Sequence, residues 1–332
     1  MAMSRKSKIV GWTLLALLVY CTFGAFVYFA SLLTLEKGRL VDLPWIVSAQ
    51  KSLFRAGMSG SAASWLARPG CITPDPDLVY VPTIGSCRFD DIEFETTLTF
   101  TAEGRNTGPK PAGTGIAVIG DSHAMGWGAN DLETFSAQLQ QLVQRPVYNL
   151  GVASYGTARE LIRLEKSGLL DRVDTVILQY CNNDYHENIE FDKASRTQLH
   201  DKVFGAQPPA ASPGNKLAFI AKGYWLTLEA PFKALADALR RKDFTRHYQP
   251  LLDTLVKHAD ALRGKRVIVF YSNPYGQPYR NFPEGPDATL PNVYFADLDL
   301  ERSNYRKLDN HLTPQGHRIA AQRLLDVLRD LP

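Results

Sequence analysis

Gly115-Ile116-Ala117-Val118-Ile119-Gly120-Asp121-Ser122-His123 is the stretch that decides the fold. Its four apolar residues from Ile116 read as a strand buried on both faces, as in a parallel sheet. Gly120 then permits a tight turn, and Asp-Ser follows at once. In an open α/β sheet that point is the carboxyl edge, where active sites lie. Gly-Asp-Ser by itself is weak evidence, because turns are rich in those residues. Its weight comes from the rest of the chain.

Outward from this run, strands and helices alternate. Strands are expected over 116–119, 147–150, 175–180, 266–271 and 293–297, and helices near 134–143, 158–166, 250–262 and 314–331. Pro250 suits a first helical position, where no N–H is needed. The alternation predicts an α/β fold: a five-stranded parallel sheet with helices on both faces. Two more segments follow strands at the same edge. Asn149-Leu150-Gly151-Val152-Ala153-Ser154-Tyr155-Gly156 is rich in small residues, and Cys181-Asn182-Asn183-Asp184 is rich in amides and acids. Both are candidate donors to an oxyanion. Near the end, Asp309-Asn310-His311 places a carboxylate two residues from a histidine. That pair suits a base that takes a serine proton and the acid that orients it.

These four blocks, in this order, resemble the SGNH (GDSL-type) hydrolases over roughly 116–332. The resemblance implies a flavodoxin-like SGNH-hydrolase fold, with Ser122 as nucleophile, His311 as base and Asp309 behind it. It also implies an oxyanion hole from the Ser122 N–H, a backbone N–H at Ser154 and the Asn183 amide. The family's oxyanion glycine falls on Ser154, with Gly151 and Gly156 on either side, and which N–H serves stays open. The late block is Asp-x-His where Asp-x-x-His is commoner. That spacing is similar to polysaccharide O-acetyltransferase relatives and bears on hydrolysis versus transfer. Cys181 stands where the family has glycine.

Each residue has a plainer reading. Ser122 could be the N-cap of the next helix. Asp309 could cap the turn before Pro314, and Asn182 or Asp184 could cap a turn beside Asn183. Asp121 is expected to hold its turn. His317 is read as a partly exposed helix residue. His123, Trp127 and Tyr155 are candidate substrate contacts, with core packing as the alternative. No metal is expected, since the histidines lack ligand spacing and there is no Cys-x-x-Cys. No cofactor is expected either.

The 332 residues, 45% hydrophobic and 21% charged, describe an ordinary globular chain. A net charge of +3 without a basic stripe argues against nucleic acid. The N-terminus differs. Residues 9–35 carry no charge, and as a helix they would extend about 40 Å at ~1.5 Å per residue, enough to cross a bilayer. Arg5, Lys6 and Lys8 precede them, so residues 1–8 are expected in the cytoplasm and the rest outside, in the periplasm if the cell is Gram-negative. A cleaved signal peptide is the rival; the length favours an uncleaved anchor. Cys71 and Cys87 flank a turn-rich segment, and an oxidising compartment would bridge them.

The expected organisation is a tail (1–8), a transmembrane helix (9–35), a stalk with a small β appendage (36–114) and the hydrolase domain (115–332). Residues 104–115 read as a linker. The alternation lapses over 185–243, which reads as a lid over the site. Three functions compete: a membrane-anchored serine esterase acting on an acylated envelope sugar or other ester, an O-acyltransferase supplied by a partner membrane protein, and an idle glycan-binding or scaffold domain.

Overall fold

The computed structural model describes residues 5–41, 43–55, 65, 66, 68, 70–205, 216–239, 245–272 and 285–331. Residues 1–4 of the expected tail, 56–64 of the expected stalk, and 206–215 and 240–243 of the expected lid lie outside this set.

The chain opens with helices α1 (Arg5–Glu36) and α2 (Pro44–Arg55). Strands β1 (Ile72–Asp75) and β2 (Val79–Pro82) pair with each other. Then come β3 (Gly85–Asp90), β4 (Glu95–Thr101), β5 (Gly104–Arg105) and β6 (Gly115–Ile119). Helix α3 (Ser122–Met125), α4 (Phe135–Val143), β7 (Val147–Asn149), α5 (Thr157–Lys166) and β8 (Val173–Tyr180) follow. Helices α6 (Asn182–Lys193), α7 (Arg196–His200), α8 (Lys216–Leu239), α9 (Thr245–Lys257) and α10 (Ala259–Leu262) lead to β9 (Arg266–Tyr271). The chain closes with β10 (Gly285–Pro286), β11 (Val293–Ala296) and α11 (Pro314–Asp330).

One sheet runs β10-β11-β9-β8-β6-β7-β5-β4-β3. Its five inner strands, β11, β9, β8, β6 and β7, are mutually parallel. They are the five strands expected, to within two residues at each end. Among the described residues the sheet has nine strands. Strands β3 and β4 do not form an appendage: β4 pairs with β5, and Arg105 of β5 pairs antiparallel with Asn149 of β7. A short ladder inside the expected linker thus extends the sheet. Pro250 also departs from expectation. It lies inside α9 instead of opening it.

The parallel strands are buried along their length because both faces are covered. Leu161 and Leu164 of α5 and Leu251 and Leu255 of α9 pack on one face. Phe135 and Leu139 of α4 and Ala320 and Leu324 of α11 pack on the other. The chain leaves β6 for β7 on one side, then returns to β8 on the other. Ser122 follows β6 at this reversal, where an open α/β sheet leaves a crevice.

One helix among the described residues, near the N-terminus, is long and apolar enough to cross a membrane. Residues 8–19 are exposed throughout, whereas the second half of α1 meets α2 and α8. Helix α8, from the segment expected as a lid, packs on α1 and α2.

Candidate active site

Gly120 has φ +145°, and a Cβ there would collide with Ala124 and Gln179. Only glycine makes this turn cheaply. Asp121 is the N-cap of α3, its Oδ1 accepting the His123 N–H at 2.9 Å. Ser122 is therefore not the cap, and its hydroxyl is free for another partner. That partner is His311, whose Nε2 lies 2.7 Å from Ser122 Oγ. Asp309 Oδ2 lies 2.6 Å from the other ring nitrogen, Nδ1. The Asp-x-His spacing brings all three into one chain of hydrogen bonds. Asn310, between them, has φ +70°, so a left-handed residue folds the loop tightly enough for the two side chains to meet.

Burial alone would lower the His311 pKa; the Asp309 carboxylate outweighs it and lifts the ring above 6.5. Burial alone would raise the Asp309 carboxyl, and the facing His311 ring outweighs that, holding the acid below its ordinary range.

On the other side of Ser122, Asp121 Oδ2 accepts from Asn183 Nδ2 at 3.0 Å and from Cys181 Sγ at 3.0 Å, with Ser122 Oγ at 3.4 Å. Asn183 Nδ2 also reaches Glu187 Oε1 at 3.2 Å. Asn183 is thus brought beside the serine, but its amide hydrogens are directed at carboxylates. Asp184 accepts the Cys181 N–H at 2.8 Å and caps α6. Burial, reinforced by the Asp121 charge, pushes the Cys181 thiol well up, so it stays neutral. Burial likewise pushes Asp184 and Glu160 well up, and Glu187 to about 7. Asp121, Cys181 and Asp184 offer ligand atoms within 4.8 Å of one another, the one such group of three among the described residues.

In the loop after β7, Gly151 donates to Asn149 Oδ1, Val152 to the Gly120 carbonyl, Ala153 to Met125 Sδ and Tyr155 to the Val152 carbonyl. No described residue accepts from the Ser154 or Gly156 N–H. Gly151 is thereby removed as a donor. Ser154 has φ +62°, a backbone that suits glycine and tolerates serine at a modest cost.

Other expected contacts do not face solvent. His123 is buried, its Nδ1 2.9 Å from Ser272 Oγ and its ring 4.7 Å from His311. Burial, then the His311 charge, pushes its pKa down to about 4, so it stays neutral. Trp127 packs between Phe89 and Phe94. Tyr155 is fully buried against Tyr80. All three are buried, as the core-packing alternative has it. His317 is also corrected: it is fully buried, with Nδ1 accepting the Phe135 N–H at 3.1 Å.

Three residues that shape the site carry no motif. Glu93, in the turn between β3 and β4, accepts the N–H groups of Lys307, Leu308 and Asp309 at 2.7, 2.9 and 2.8 Å. Arg306 donates to the carbonyls of Glu93 and Gly128, both at 2.5 Å. Arg105, fully buried, donates to the carbonyls of Met125, Gly126 and Ala129 and so holds the end of α3. Burial pushes its pKa down to about 10, and it remains charged. Cys71 and Cys87 are joined by a disulfide, Cα–Cα 5.8 Å, beside Trp65, Phe89 and Phe100.

No family model and no curated protein matches the chain. Among solved structures, it is similar to a G-D-S-L family protein from Desulfitobacterium hafniense (14% identity, TM-score 0.35, covering 64% of this chain and 99% of that one). It is similar to a Clostridium thermocellum family 3 carbohydrate esterase (14%, 0.35, 66% and 98%). A Corynascus family 2 carbohydrate esterase with a carbohydrate-binding domain also aligns (11%, 0.36, 68% and 68%).

Proposed function

We propose that this chain is a membrane-anchored, extracytoplasmic SGNH-type serine esterase that deacylates an O-acylated envelope sugar or a related ester. The observation that carries the reading is the unbroken chain Asp309 Oδ2, His311 Nδ1, His311 Nε2, Ser122 Oγ, at 2.6 and 2.7 Å. In this reading His311 takes the serine proton as Oγ attacks the ester carbonyl. Asp309 stabilises the imidazolium that results. The Ser122 and Ser154 N–H groups face the developing oxyanion, and Asn183 joins them by turning its amide from Glu187 or Asp121. His311 then protonates the leaving alcohol, and water, activated by the same imidazole, releases the acid from Ser122.

Transfer to a sugar hydroxyl in place of water is the second reading, and the Asp309-x-His311 spacing favours it. It needs a partner membrane protein to deliver the acyl group. Both readings rest on α1 crossing a membrane, for which its length and uncharged run argue, and on an oxidising exterior, for which the Cys71–Cys87 bridge argues.

The full chain in detergent, assayed with a chromogenic acetyl ester, should release acid and lose that activity as Ser122→Ala. Acceptor-dependent acylation of an added oligosaccharide would select transfer. An unchanged Ser122→Ala rate would leave only a glycan-binding or scaffold role. A carboxy-terminal alkaline phosphatase fusion should be active; an inactive one would reverse the topology.

A further inference from the structure

Helix α8 poses a problem that the esterase reading does not address. Trp225, Phe232, Leu235 and Leu239 are 60, 62, 58 and 74% exposed. Their spacing of seven, three and four residues places them on one helical face. Lys222, Glu229 and Lys233 fall on the adjoining face, where Glu229 pairs with Lys233 at 3.3 Å and accepts from the indole N–H of Trp225 at the edge of the stripe. A soluble domain rarely leaves such a stripe in water.

The stripe borders α1. Tyr224 Oη donates to the Cys21 carbonyl at 2.8 Å, and Tyr20 Oη donates to the Leu228 carbonyl at 2.5 Å. The Tyr20 and Phe232 rings meet edge to face at 6.0 Å. A Cβ on Gly24 would collide with Leu228, so glycine permits the close approach usual between membrane helices. The uncharged part of α1 covers 27 residues, 9–35, and about 20 suffice to cross the hydrocarbon. Every 20-residue window in that run contains residues 16–28. Tyr20, Cys21 and Gly24 therefore lie at hydrocarbon depth wherever the bilayer settles, and α8 meets α1 at those residues.

We propose that α8 is a second lipid-contacting helix, seated beside α1 with its apolar stripe against the acyl chains of the same bilayer. The inference rests on the reading of α1 as a membrane span. It has a consequence for the site. Leu308, next to Asp309, packs with Tyr28 and Leu35 of α1 and Leu53 and Phe54 of α2, against Tyr224 and Leu226 of α8. Lys51 of α2 donates to Asn310 Oδ1 at 2.6 Å. The loop that carries Asp309 and His311 is thus built onto the same helices.

Tryptophan quenching separates the two readings. The full chain, Trp12→Phe and Trp225→Phe are placed in nanodiscs of ordinary and chain-brominated phosphatidylcholine. Each residue's emission is the difference between parent and variant. Trp12 reports α1 and Trp225 reports α8. Bromination should cut the Trp225 emission by about half or more, as for an apolar face buried ~5–10 Å into the boundary. Phe232→Trp in the Trp225→Phe background should restore a quenched signal on the same face. Quenching of Trp12 alone, with the emission of Trp225 and of the Phe232→Trp variant's new indole untouched, would overturn the proposal. The anchor would then stand, whether water or another protein covers α8. Quenching at none of the three positions would remove both readings.

Discussion

Asp309 on one side of Ser122 and three carboxyls on the other are alike in that desolvation penalises their charge, while their protonation goes opposite ways. On one side Asp309 faces an imidazole, with Arg306 near, and stays ionised. On the other, Asp184, Glu160 and Glu187 face Asp121 and one another, and all are pushed towards the neutral acid. The cation near them, Arg159, donates to the Ser154 carbonyl and stacks 4.4 Å over the Tyr155 ring. Desolvation penalises charge in both groups; only a partner of opposite charge reverses the sign. Ser122 therefore stands between a carboxylate held ionised against His311 and a set of acids pushed towards the neutral form, of which Glu187 accepts from Asn183.

The largest test of this contrast is Asp309→Asn. Removing Asp309, the larger of the two carboxylate charges that raise His311, the other being Asp121, should lower kcat about 10³–10⁴-fold. The acid limb of the pH profile, expected above pH 6.5 because Asp309 raises His311, should also move down. An unchanged limb would mean that the carboxylate only caps the turn.

Asn183→Ala tests the other side. Losing one oxyanion donor should cost about 10²–10³ in kcat with little change in KM. A loss below tenfold would show that the amide stays with Asp121 and Glu187 through the reaction.

Glu93→Ala should act more weakly, through position. Three backbone N–H groups lose a charged acceptor, costing about 2 kcal/mol of stability and roughly tenfold in kcat as His311 loosens. Denaturant unfolding and kinetics on one preparation check both. Stability lost with kcat unchanged would make Glu93 a fold residue only.

The smallest effect is a slope. Glu187 has its pKa raised from 4.5 to about 7 in the folded state. A raised acid favours folding while protonated, so its contribution is full below about pH 4.5 and is lost as pH rises through 7. Glu187→Gln should flatten the fall in unfolding free energy across that window. An identical slope in the variant would place the titration elsewhere.

Sequence alone indicated the five parallel strands and four of the helices beside them (α4, α5, α9 and α11), and it pointed to Ser122, Asp309 and His311, which lie within hydrogen-bond reach of one another. These are local signals: apolar runs as long as a buried strand, helical periodicity, and reactive side chains at the ends of strands. Tertiary structure decided what depends on distant partners. Strands β3 and β4 join the sheet because a two-residue ladder at Gly104–Arg105 bridges to Asn149, and edge pairing leaves no periodic trace. Glu93 holds a loop more than 200 residues away through backbone N–H groups, which have no residue identity to read. The Gly151 N–H is taken by the Asn149 side chain, a pairing that the fold alone makes. Trp127, Tyr155 and His317, polar or aromatic enough to suit a surface, were drawn into the core by neighbours that no local window contains. Which groups could ionise was decided last, since the same buried carboxyl is charged or neutral according to the one side chain folded against it.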